Sequence, residues 1–291
     1  MSDGIYPGHK HSFDDSSGVD TMVGTGPESS GQREPGRSPL TPTDYETIAS
    51  RYDLARGGAP ESLDAWRIAL SSFLKHASLP LLDVGCGTGY WAVALADWFA
   101  LEVVAVEPSR AMRQKACEQR RHPAISYLGG RAENLPMRDG SCESAWLSTV
   151  VHHVSDLGKS AAELRRVLVP GGRVLIRNAF SGRTDGIPWL RYFDHVRHLA
   201  EARWPTVDHV LQAFEPAGFG LEHLEPVEET TDLSIASYAR RVGVRADSTL
   251  AAISDEDFES GMRKLEEAVG AEPDPKPVIS TLDLLVLKAT L

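Results

Sequence analysis

Cysteine is scarce in this chain: Cys86, Cys117 and Cys142 are three among 291 residues, odd in number and widely spaced. That excludes a disulfide framework and a cysteine zinc set, and it points to a reducing compartment. Long apolar runs are missing as well. No stretch approaches the roughly 18 apolar residues of a membrane helix, and the N-terminus lacks the basic start and apolar run of a secretory signal. Basic charge is in deficit, with 30 Lys and Arg against 41 Asp and Glu and a formal net charge of −11. A surface that acidic repels phosphate backbones, which argues against nucleic-acid substrates. The expectation is a cytoplasmic protein with neither a membrane nor a nucleic-acid partner.

What is present is ordinary globular material, 42% hydrophobic and 24% charged, in a chain long enough for one large domain with a real core. Residues 1–42 are the exception. They are rich in Gly, Ser, Pro and Asp without apolar periodicity, and such a segment cannot offset its ordering entropy. It is predicted to be a disordered tail, a lid over bound ligand being the alternative. Residues 43–291 form the domain. Thr43-Asp44-Tyr45-Glu46 offers a helix start, with Ile48, Tyr52 and Ala55 on one face before Gly57-Gly58. Ser62 opens a second helix.

A regular alternation follows. Strands are predicted at Leu81–Val84, Glu102–Val106, Ile125–Leu128, Glu143–Leu147 and Arg173–Arg177, with helices at Tyr90–Phe99, Arg110–Gln119 and Lys159–Leu168 between them. Short apolar strands alternating with amphipathic helices signal βαβ units and a parallel sheet covered on both faces. A helix near Val207–Pro216 and strands near Leu221–Val227 and Val278–Leu287 complete the pattern. The fold class is α/β, doubly wound.

The segment Leu81-Leu82-Asp83-Val84-Gly85-Cys86-Gly87-Thr88-Gly89 runs from a strand through a glycine loop into a helix. Such a turn brings backbone N–H groups and the positive end of a helix dipole to one point. A dinucleotide fingerprint wants a third glycine where Tyr90 stands. The acid Asp83, two residues ahead of the loop, suits no pyrophosphate but does suit the cationic α-amino group of S-adenosylmethionine. About twenty residues on, Glu107 ends the strand Val103-Val104-Ala105-Val106, where a carboxylate can accept ribose hydroxyls. Gly130-Arg131-Ala132-Glu133-Asn134-Leu135-Pro136 is placed to wall an adenine.

Together the segments 81–92, 103–109, 131–146, 150–156 and 163–176 resemble the class I S-adenosylmethionine-dependent methyltransferases, in family order over about half the chain. More narrowly they are similar to the small-molecule branch that includes the ubiquinone and menaquinone C-methyltransferases. The resemblance implies a Rossmann-like, seven-stranded sheet of order 3-2-1-4-5-7-6 with strand 7 antiparallel, and methyl transfer from S-adenosyl-L-methionine to a small-molecule metabolite. Carried over by motif, Asp83, Gly85, Gly87 and Gly89 hold the methionine part of the cofactor and Glu107 the ribose. Pro108, Ser109 and Met112 flank the adenosine, and Ala132 and Glu133 meet the adenine. Tyr45, Tyr52 and Arg56 match a helix that covers the cofactor, while Ser148 and His153 match the end of the fourth strand and the next turn. The last third of the chain and its Gly-Ser-rich start match no subfamily motif.

Methyl transfer to a hydroxyl or carbon acid needs a base as well as alignment. His152 and His153 follow the fourth strand and are the catalytic candidates, which favours O- or C-methylation; packing and helix capping are the other roles open to them. Insertions at about 181–205 and 228–276 are expected over the substrate pocket. In the first, Trp189, Tyr192, Phe193 and Trp204 are either the buried face of a helix or pocket walls. His195 and His198 have no third ligand in evidence, so no metal is predicted. In the second, Phe258, Met262, Leu265 and Val269 form a stripe that is either a pocket wall or the face of a homodimer. Two other readings of the whole stay open: another group transfer or rearrangement on the same fold, or a non-catalytic ligand-binding module.

Overall fold

The computed structural model describes residues 62–74 and 78–290. The predicted tail 1–42 and the helix from Thr43, with Tyr45, Tyr52 and Arg56, lie outside the described residues. The apolar runs become β1 (Leu81–Val84), β2 (Val103–Glu107), β3 (Ile125–Gly129), β4 (Cys142–Ser148), β5 (Leu168–Asn178), β6 (Phe219–Asp232) and β7 (Val278–Ala289). They form one seven-stranded sheet in the order β3-β2-β1-β4-β5-β7-β6. The pairs β1 to β5 are parallel, and β7 runs antiparallel to both β5 and β6. This is the architecture that the resemblance implies.

Alternation along the strands explains why the sheet must be covered twice. Leu82, Val84, Ala145, Leu147, Val174, Ile176, Leu285 and Leu287 point to one face. There they meet the helices α4 (Leu157–Val167) and α6 (Val207–Phe214) through Ala161, Leu164, Val210 and Phe214. Leu81, Trp146, Leu175, Leu284 and Val286 point to the other face, where α1 (Ser62–Leu74) and α2 (Tyr90–Phe99) bring Trp66, Leu70, Trp91 and Leu95. The helix α3 (Arg110–Gln119) covers β2 and β3.

Two strands outrun their apolar cores. β5 begins at Leu168, through a Pro-Gly-Gly stretch that reads as a turn, and α4 starts two residues earlier than its apolar periodicity indicates. β6 continues past Val227 to Asp232, so the second insertion begins after Asp232 and not at 228. Glu228 to Asp232 is polar and reads as loop. It is strand because β7 supplies its ladder partners, from Glu228 opposite Thr281 to Asp232 opposite Val278.

The two insertions share a third core. The first holds short 3₁₀ turns (Pro188–Arg191 and Asp194–Val196) and α5 (Arg197–Arg203); the second holds α7 (Ile235–Gly243) and α8 (Asp255–Ala271). Trp189, Leu190, Phe193, Ala200 and Trp204 of the first pack against Tyr238, Val242, Leu250, Ile253 and Leu265 of the second. Leu265 of the α8 stripe is buried in this cluster, and Phe258, Met262 and Val269 pack against it partly buried. Gly261 allows the approach, since a Cβ there would lie 2.2 Å from the Phe193 ring. His195 and His198 fall in different elements, a 3₁₀ turn and α5, and His195 faces Asp257 at 3.4 Å. No helix among the described residues is long and apolar enough to cross a membrane.

Phe193→Ala is expected to cost about 3–5 kcal/mol, the usual range for emptying a fully buried aromatic site. Hydrogen exchange should accelerate in α7 and α8, tens of residues away in sequence, while β1 to β4 keep their protection. Unchanged exchange in α7 and α8 would show that the two insertions do not share a core.

Candidate active site

The carboxyl edge of the parallel strands carries the site. β1 delivers a fully buried Asp83 and then turns sharply. Gly85, Gly87 and Gly89 all take left-handed backbone, at φ 70°, 56° and 83°, a region that costs other residues energy. The turn is fastened to β2, because the Gly85 and Cys86 amides donate to the Val106 carbonyl at 2.7 and 3.2 Å. A Cβ on Gly89 would sit 2.5 Å from the Tyr127 hydroxyl, and one on Gly85 would sit 2.7 Å from Val150. Bare backbone is therefore required where α2 begins. Burial, reinforced by the Asp83 and Glu107 carboxylates, pushes the Cys86 thiol well up and keeps it protonated.

Glu107 closes β2 and is buried. One carboxylate oxygen accepts from the Gly87 amide and the other from the Ser109 amide, both at 2.9 Å. The first and second loops are thereby fixed to one side chain. The Ser109 hydroxyl caps α3 by accepting from the Met112 amide, and Met112 is buried beneath it. Pro108 lies exposed between them. Arg113 returns from α3 to donate to the Glu107 and Pro108 carbonyls at 2.7 and 3.1 Å.

The third loop is held by its own acid. Glu133 accepts from the amide and the hydroxyl of Ser155 at 2.9 and 2.7 Å. Burial raises its pKa, but the Ser155 bonds outweigh that and hold the carboxyl below its usual value. Ala132 is buried beside it. The Glu133 side chain thus ties loop to loop.

After β4 the chain makes a tight corner. Thr149 adopts a left-handed conformation at φ 54°, and a 3₁₀ turn, Val151–His153, follows. The two histidine rings lie 4.0 Å apart, tilted by 48°. Ser148 is buried at the strand end, its hydroxyl 3.4 Å from Arg177.

His152 and His153 open onto a cavity of about 250 Å³. Tyr90 and Trp91 of α2 reach it from the glycine loop, and Trp189, Trp204 and Tyr238 enclose it from the shared core of the insertions. Trp189 and Trp204 thus belong to this core and line the cavity as well. Burial raises the Tyr238 pKa, so it presents a phenol.

The charged groups in this cavity are barely visible in the sequence. The Arg177 guanidinium bonds Glu229 at 2.6 and 2.7 Å and lies over the rings of Trp66 and Trp91, 5.0 and 5.2 Å from their centroids. Trp66 donates to the same carboxylate, and Arg241 bonds Asp232 at 2.6 Å. Arg177 sits near the end of an apolar strand, and Glu229 and Asp232 in a stretch that reads as loop. The one available signal is a basic residue, Arg177, closing the run Val174-Leu175-Ile176. Among the described residues, the structure thus brings Asp83, the three loop glycines, Glu107, Ser109 and Met112 to the first two strand ends. It sets Ala132 and Glu133 at the third and Ser148, His152 and His153 at the fourth.

Residues 82–176 match the family model described as a methyltransferase domain. A malonyl-[acyl-carrier protein] O-methyltransferase from Erwinia pyrifoliae is 34% identical over 148 residues, 48% of this chain and 53% of that one. A demethylmenaquinone methyltransferase from Paenarthrobacter aurescens is 28% identical over 203 residues, 61% of this chain and 77% of the relative. The match thus spans about half the length of the first relative. A crystal structure from Anabaena variabilis, assigned as a methyltransferase from an antibiotic biosynthesis pathway, superimposes with a TM-score of 0.64 at 25% identity. That superposition covers 82% of this chain and 99% of that one.

Gly89→Ala combines left-handed strain with the collision against Tyr127. It should lower stability by about 1–3 kcal/mol in urea unfolding. An unchanged midpoint would mean that the loop can relax away from Tyr127.

Proposed function

We propose that this chain, which carries a methyltransferase domain over residues 82–176 on a seven-stranded sheet of matching order, is a class I methyltransferase that methylates a small, planar acceptor at oxygen or carbon. The observation that carries the reading is the cavity, which touches both α2, rising from the glycine loop, and the histidine turn after β4. Its volume of about 250 Å³ is at the small end for ligand pockets, and its aromatic walls favour a flat molecule.

The residues present fit S-adenosylmethionine. The glycine turn is a cradle that a Cβ would fill, and its two neighbouring acids suit an ammonium group and ribose hydroxyls, whereas a pyrophosphate would be repelled. When bound, this cofactor would supply an activated methyl group. The chain's own residues do the rest. Asp83 and the loop amides bind the amino-acid end, Glu107 orients the ribose, and the Ala132 backbone reads the adenine edge. Accepting two amides does not exhaust the roughly four lone-pair sites of the Glu107 carboxylate. The walls of the cavity exclude water, and the His152–His153 turn supplies a base. Scarce cysteine supports a cytoplasmic setting. For assembly we propose a homodimer, to which exposed Ile68, Leu221 and Leu233 offer apolar contact.

Calorimetry with S-adenosylhomocysteine tests the premise. Asp83→Ala should weaken binding by about 1–3 kcal/mol, the loss expected on deleting a charge-assisted partner. Affinity equal to that of the parent chain would remove Asp83 from the site.

A further inference from the structure

The register of β4 on β5 pairs Ser148 with Arg177, so the next residues along, Thr149 and Asn178, meet at the sheet's carboxyl edge. The left-handed corner at Thr149, whose amide donates to the Arg177 carbonyl at 2.7 Å, turns the 3₁₀ segment back over β5. Nδ1 of His152 thereby comes to 3.2 Å from Oδ1 of Asn178. Asn178 is fully buried, and its Nδ2 donates to the Ala179 carbonyl. A carbonyl can only accept, so the amide nitrogen must face Ala179 and the amide oxygen must face the histidine. That oxygen can only accept in turn, and so Nδ1 must carry a hydrogen. A neutral imidazole has one N–H, which leaves the lone pair on Nε2.

We propose that Asn178 is a positioning residue that holds His152 as its Nδ1–H tautomer, making Nε2 of His152 the proton acceptor of the cavity. This rests on the methyl-transfer reading and decides which of two adjacent histidines is the base within it. As the acceptor's electron pair turns to the methyl carbon, its hydroxyl or carbon-acid proton passes to Nε2. The imidazolium that forms keeps its Nδ1–H bond to the Asn178 oxygen and later releases the Nε2 proton to water. The His153 ring, 4.0 Å away, limits rotation of its neighbour.

Among the described residues, the charged side chains lining the cavity have bonded partners. From β5 and β6, Arg177 and Glu229 neutralise each other, and Arg241 of α7 is bonded to Asp232. Asp247, in the loop after α7, accepts from the Thr249 and Leu250 amides. Among the described residues, His153 from the same turn, Tyr90 from α2 and Tyr238 from α7 are the other titratable groups facing the cavity.

Nitrogen NMR of the full chain labelled in histidine reads the tautomer directly, with His152→Gln to assign its signals and S-adenosylhomocysteine as the probe ligand. His152 should show a protonated Nδ1 and an unprotonated Nε2, with and without the probe. Asn178→Asp keeps the shape but places a carboxylate against Nδ1, and the His152 titration midpoint should rise by about 1–3 pH units. Asn178→Ala should lose the Nδ1–H preference while probe affinity stays within about twofold. An Nε2–H ring in the parent chain would overturn the proposal, as would an unmoved midpoint in a folded Asn178→Asp chain. Absence of probe binding beside an intact Nδ1–H signal would instead count against the methyl-transfer reading.

Discussion

The Glu107 carboxylate is the joint on which the cofactor end of the site depends. It closes β2, and its two oxygens reach the amide in the middle of the glycine turn and the amide that opens α3. A buried carboxylate is tolerated only when its lone pairs are satisfied. Backbone amides that cannot move far are the most rigid partners available. The spacing of the first two loops is therefore set by one side chain, and the glycines fit that spacing because nothing but hydrogen stands on their α-carbons. The third loop follows the same logic through Glu133 and Ser155. The apparatus is acidic residues organising backbone.

At the cavity, the buried charges of the described residues come in pairs. Arg177 and Glu229 join β5 to β6 under two tryptophans, and Arg241 and Asp232 repeat the arrangement toward α7. Breaking one member of a buried pair is costly, while the intact pair adds little to stability. Their value here is positional. They carry β6 into the cavity and fix its polar floor.

Much of this was legible in the letters, for identifiable reasons. β1, β2 and β4 are apolar on both faces, and a parallel sheet is the fold that uses such strands. Asp83 and Glu107 stood out because acids at the ends of buried strands require partners. The order of β6 and β7 came through the resemblance and not from periodicity, which cannot rank antiparallel partners. The extension of β6 to Asp232 was hidden because polar residues in a strand look like loop until their ladder partner is known. Asn178 was invisible for a related reason: a single buried amide at the end of an apolar run has no period of its own. The stripe of α8 was readable as apolar, but its partner, Phe193, lies some seventy residues earlier.

The shared core of the two insertions has an evolutionary consequence. A region that packs mainly on itself can exchange its side chains, and with them the shape of the chamber it roofs, while the sheet and its cofactor loops stay as they are. Descendants with new acceptors would then differ in matched sets, one change near Trp189 answered by another near Tyr238. The two stretches are far apart in the gene, yet they would drift as one unit.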